Sequence, residues 1–107
     1  MYTKQMFTHD LEEVIGLLEK EAKTLEQGLP SEGIAVGNQN ITGDWLRRVF
    51  IAELEMLLYQ TKTNTLPPRG KRQIGSVWHA TDQWSNKSSR LSEKFGNLAN
   101  NYREKLE

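Results

Sequence analysis

The chain contains no cysteine, which excludes disulfides, thiolate zinc sites and cysteine nucleophiles. It has only 3 Pro, at positions 30, 67 and 68, so the long stretches between them are free to be helical. Net charge is zero, so no overall field draws the protein to a polyanion or an anionic membrane. Apolar runs are short: none approaches the ~20 residues of a membrane span. Residues 1–10 hold one Lys, an early acid and no apolar centre, unlike a signal peptide. These absences predict a soluble, cytoplasmic single domain of 107 residues, large enough to bury one core with little to spare.

The richest apolar stretch lies between Gly43 and Lys62. Trp45, Val49, Ala52, Met56 and Tyr59 recur at helical spacing, and Leu46, Phe50, Leu54 and Leu57 form a second row beside them. Two adjacent rows predict a central helix packed on several sides, with Arg48, Glu55 and Lys62 as its wet edge. Thr42 and Asp44 are suited to capping its start.

Upstream, Leu11, Ile15, Leu18, Ala22 and Leu25 repeat at steps of four and three, with Val14 widening the face. Thr8 as N-cap and the stop signal Gly28–Pro30 bound this helix to about 8–27. Leu29 to Thr42 is a long connection, read as a packed crossover in which Ile34 and Val36 are extended, with a binding loop as the sharper alternative. Downstream, Ile74, Val77, Thr81, Trp84, Ser88, Leu91, Phe95, Leu98 and Tyr102 hold one heptad phase. That phase predicts a single helix over 71–105, roughly 50 Å long. The serines and Asn86 between 85 and 92 favour caps and turns, so a break near 85–89 and a four-helix bundle form the alternative. A continuous helix of that length outruns the other two. The uncovered side chains Trp84, Leu91, Phe95, Leu98 and Tyr102 would then hold a homodimer.

Charge is unevenly placed. Residues 1–61 hold five Lys or Arg against ten Asp or Glu, and residues 62–107 hold nine against four. Such asymmetry lets the two halves attract each other or draws a polyanion to the basic one. Lys62, Arg69, Lys71 and Arg72, with no acid among them, are the candidate nucleic-acid contacts, for RNA or single-stranded DNA. Trp78 and Trp84 have faces that could stack bases, but their helical positions favour burial.

Glu53 falls within the apolar arc of the central helix. A carboxylate there needs a partner, and a structural ion pair or hydrogen bond to an Arg, His or Trp of another helix is favoured over a metal ligand or general base. Gln60 lies on the same edge and extends that contact. His79 with Asp82, and His9 with Glu13, each place two ligand types on one helix face. The repeated Glu-x-x-His pairs of bundle di-metal sites are missing, so no metal and no cofactor is implied. No catalytic triad and no Gly-rich phosphate loop is present, which argues against an enzyme.

Arg72 and His79, with six residues between them, resemble the Arg-x(4–6)-His signature of the helical HEPN ribonucleases. The resemblance covers these two residues and the all-helical class. It implies a pair acting at a scissile phosphate, from two facing protomers. Gln73 follows the Arg and Ala80 follows the His, where the family's usual polar residue and Tyr would stand.

The combined reading is an all-α bundle of three or four helices serving as a non-enzymatic protein–protein interaction module. Its partners would be a second copy of itself and another protein. Nucleic-acid binding through 62–72 is the first alternative, and a ribonuclease using Arg72 and His79 the second.

Overall fold

In the computed structural model, residues 1–29, 41–84 and 89–107 are described, without the side chains of 81–83. Among the described residues four helices carry the fold. Helix α1 spans Lys4–Glu26. Helix α2 starts as Gly43–Leu46, passes through a π-helical stretch at Arg47–Ile51, and continues as Ala52–Lys62. Helix α3 is Val77–Gln83, and α4 is Arg90–Asn100 extended by a π-helical turn at Asn101–Lys105. The protein is an all-α bundle; among the described residues the sole β-type pairing is an isolated parallel bridge between Tyr2 and Leu106.

Helix α1 begins four residues earlier than the sequence suggests. Thr3, not Thr8, is its N-cap, accepting from the Met6 N–H at 3.1 Å. Thr8 instead turns its hydroxyl back onto the Lys4 carbonyl inside the helix. The extra turn brings Phe7 into the core, where it stacks on Tyr102 with centroids 5.1 Å apart. At the other end Gly28 takes φ +74°, the Gly28 N–H reaches the Leu25 carbonyl, and the Leu29 N–H reaches the Thr24 carbonyl. This is a Schellman stop, built on the residue that bears a left-handed φ most easily. Asn64 does the same for α2 at φ 60°, with the Thr65 N–H on the Gln60 carbonyl at 2.8 Å. The helix therefore ends before Pro67–Pro68 is reached.

The C-terminal region is not one helix from 71 to 105. Helix α3 begins at Val77 and ends before Trp84, whose ψ of 129° is extended. Helix α4 restarts behind Ser89, whose hydroxyl accepts from the Ser92 N–H at 3.1 Å. A serine cap thus wins over unbroken apolar spacing. The longest dimension of the molecule, 39 Å, is also shorter than the roughly 50 Å of a straight helix over that span. Residues 85–88, within the expected break, and 30–40, within the expected crossover, lie outside the described residues.

Folding back lets both halves of the broken segment feed one core. Phe50, Trp84 and Phe95 form an aromatic cluster with centroid separations of 4.9 to 5.5 Å. Helices α1 and α2 pack antiparallel. Gly43 makes their close crossing possible, because a Cβ there would lie 2.6 Å from the Ala22 carbonyl oxygen and 2.5 Å from Glu26 Cγ. Arg47 then reaches both Glu19 and Glu26 across the pair, and Lys4 meets Asn64 at the far end. Between the acidic and basic halves, Lys94 pairs with Glu13 at 3.0 Å.

Candidate functional site

The two apolar rows of α2 have different fates. Leu46, Phe50, Leu54 and Leu57 are buried, joined by Ile51. The π-helical stretch widens the turn so that Phe50 and Ile51 both face inward. The other row stays outside: Trp45 and Val49 are half-buried, Ala52 is exposed, and Met56 and Tyr59 are 60% and 66% exposed. The helix is packed on one side rather than several.

Met56 lies exposed three positions before Tyr59 on α2; Tyr59 helps to line an open groove of about 500 Å³ between α1 and α2. Ile15, Leu58 and Tyr59 give it an apolar floor; Glu12 and Gly16 of α1 face Glu55 and Lys62 of α2. A second groove of about 220 Å³ runs between α3 and α4, lined by Val77, Trp78, Gly96, Ala99 and Arg103 among others. Trp78, expected in the core, is 71% exposed there, whereas Trp84 is 3% exposed. The apolar spacing of Met56, Tyr59 and Trp78 predicts burial, yet all three are exposed. For Met56 and Tyr59 the signal is the excess of apolar residues on α2 over what one inward face needs.

The basic loop is used by the fold. After Pro68 the chain makes a short 3₁₀ turn at Arg69–Lys71. Arg72 Nε donates to the Pro67 carbonyl at 2.9 Å, and its Nη1 donates to the carbonyls of Leu106 and Glu107 at 3.0 and 3.2 Å. Its guanidinium also lies 6.0 Å from the Tyr102 ring centre. Arg69 donates to the Glu104 carbonyl at 3.1 Å. Unsatisfied carbonyls at a helix C-terminus carry partial negative charge, and the two arginines answer it. Lys71 is exposed, and Lys62 lies at the α1–α2 groove. The four candidate cations therefore do not form one phosphate-facing cluster.

Glu53 is half-buried and caps another helix. Its Oε2 accepts from the Gly75 N–H at 2.9 Å, and its Oε1 accepts from the Ser76 N–H at 3.1 Å and the Ser76 hydroxyl at 2.6 Å. The partners are main-chain groups and a serine just before α3, not the Arg, His or Trp the sequence suggested. A carboxylate at that position meets free N–H groups and the positive end of the helix dipole. Gln60 is not among these partners; its main-chain carbonyl accepts from the Thr65 N–H.

His79 is exposed, its ring set edge-on to Trp45 at 6.0 Å between centroids. Arg72, by contrast, is committed to the C-terminal carbonyls, so the two residues have separate partners. His9 is exposed and lies 3.5 Å from Asp10. Among the described residues no three His, Asp or Glu side chains gather as a metal site; the Asp82 side chain lies outside them.

The residues expected to hold a dimer are interior. Trp84, Leu91, Phe95, Leu98 and Tyr102 are each 5% exposed or less within a single chain. The uncovered half-helix that called for a second copy is absent, because the break folds it onto α1 and α2. Among the described residues no helix is long and apolar enough to cross a membrane. Comparison with family models, curated proteins and solved structures finds no match to this chain.

Proposed function

We propose that this protein is a non-enzymatic interaction module that binds another protein through the outer face of α2 and the α1–α2 groove beside it. The observation that carries this reading is the exposure of Met56 and Tyr59, two large apolar residues on the helix that otherwise builds the core. Burying them against a partner would release apolar surface worth about 25 cal/mol per Å². Tyrosine supplies large contact area with few rotors to order, and methionine adapts to varied surfaces. The nucleic-acid alternative has less support, since Arg69 and Arg72 already hold main-chain carbonyls. The ribonuclease alternative has less support for the same reason: Arg72 would have to leave Leu106 and Pro67 to meet a phosphate.

A photo-reactive residue placed at position 59 in the producing cell tests the reading, with the same residue at position 71 as comparison. Discrete protein adducts from position 59, absent at position 71, are expected. Adducts from 71 alone, or none from 59, would overturn it.

A further inference from the structure

Resting on that reading, we infer that the occupant of the α1–α2 groove is an amphipathic helix of a partner protein, with Lys or Arg flanking its apolar stripe. The antiparallel register is fixed by three contacts: Gly43 against Ala22, Arg47 against Glu19, and Lys4 against Asn64. It sets Glu12 of α1 opposite Glu55 of α2, one on each wall of the groove. Neither carboxylate has an ion-pair partner among the described residues, although Glu13, Glu19, Glu26 and Asp44 nearby on the same helices all do. The floor between the two walls is apolar, from Ile15, Leu58 and Tyr59. An apolar floor between two unpaired acids complements a helix whose apolar stripe is edged by cations. Lys62 at one end repels a cation there, so the basic residues of the occupant belong over Glu12 and Glu55.

Gly16 points the same way. It stands in the middle of α1, where glycine weakens a helix relative to alanine. Among the described residues a Cβ at Gly16 would meet nothing within 4 Å, so their packing gives no reason for it. Its missing side chain keeps the groove open beside Ile15, where a neighbouring backbone can approach closely.

Two synthetic helices of about 18 residues, long enough to hold helical form, test the inference. Both carry leucines at i, i+3, i+4 and i+7; one has lysines flanking the stripe and its twin has glutamates. Each is titrated into the isotope-labelled protein and followed by amide shifts. The lysine peptide is expected to move Gly16, Ile15, Leu58 and Tyr59 and to bind about tenfold more tightly than its twin, as two weak ion pairs replaced by two repulsions would give. Glu12→Lys with Glu55→Lys reverses that preference, and Gly16→Leu weakens both peptides while leaving the helix intact. Equal binding of the two peptides, shifts confined to other residues, or no binding overturns the inference. So do concentration-dependent shifts of the same amides without peptide, which would give the groove to a second copy. Protein adducts at position 59 alongside failure of the lysine peptide sink the charge argument alone; absence of adducts sinks the module reading itself.

Discussion

Arg72 Nη1 donates to the Leu106 carbonyl at 3.0 Å across thirty-four positions of chain. Leu106 is fully buried and bridged to Tyr2, and the Glu107 N–H reaches the Tyr2 carbonyl at 3.2 Å. One guanidinium thus ties the loop after α2 to the last residues, and through them to the first. A residue whose charge suggested a phosphate ligand is a strap between distant segments.

Arg72→Ala should therefore lower stability by about 2–3 kcal/mol, the scale of losing charged hydrogen bonds to partly buried carbonyls. Arg72→Lys should recover less than half, because an ammonium cannot span two directions as the planar fork does. Urea unfolding measures both. Unchanged stability in Arg72→Ala would return the residue to the surface as a free ligand.

Glu53→Leu should cost about 1–2 kcal/mol by leaving the Gly75 and Ser76 N–H groups without their acceptor. Ser76→Ala should cost less, since it removes one hydroxyl donor and leaves both N–H contacts. In a double-mutant cycle the two losses should fall short of additive. A neutral Glu53→Leu would show that α3 does not depend on this cap.

Three glycines should respond with different signs. Gly43→Ala should destabilise by about 1–3 kcal/mol, because the new methyl meets a backbone oxygen that cannot swing away. Gly16→Ala and Gly96→Ala meet nothing within 4 Å and should each stabilise by about 0.5–1 kcal/mol. Thermal melts of the three variants give the ordering.

Alkali should unfold the protein through its tyrosines. Burial, then the bond to Asp10, raises the Tyr2 phenol above its ordinary value of 10.0. Burial also raises Tyr102, opposed by Arg72 and assisted by Glu53. With folded values above the unfolded one, the native state holds protons that the unfolded chain releases. The stability they contribute is complete below about pH 10 and is lost as pH climbs through the folded values. Tyr2→Phe should flatten that alkaline decline. A decline of unchanged steepness would place the sensitivity elsewhere.

The helical class, the all-α core and the start of α2 at Thr42 were legible because caps and apolar spacing act locally. The break at Trp84 was less so. Apolar periodicity counts residues, and Trp84 keeps its place in the count while leaving the helix, since a buried indole needs only to reach the core. The Ser89 cap was the local sign of it. Met56 and Tyr59 read as core because one sequence does not say how many sides of a helix are covered. The two arginines read as phosphate ligands because, apart from the nearby Pro67 carbonyl, their acceptors are backbone carbonyls more than thirty residues away, which carry no mark in the sequence.

The proposed partner surface lies on the helix faces, while the arginines of the basic loop hold main-chain carbonyls of the fold. Fluorescence anisotropy of short labelled RNA and single-stranded DNA, at low and near-physiological salt, tests this assignment most directly. No saturable binding is expected at either salt. Binding that falls steeply with salt and is lost in Arg69→Ala with Lys71→Ala would contradict it.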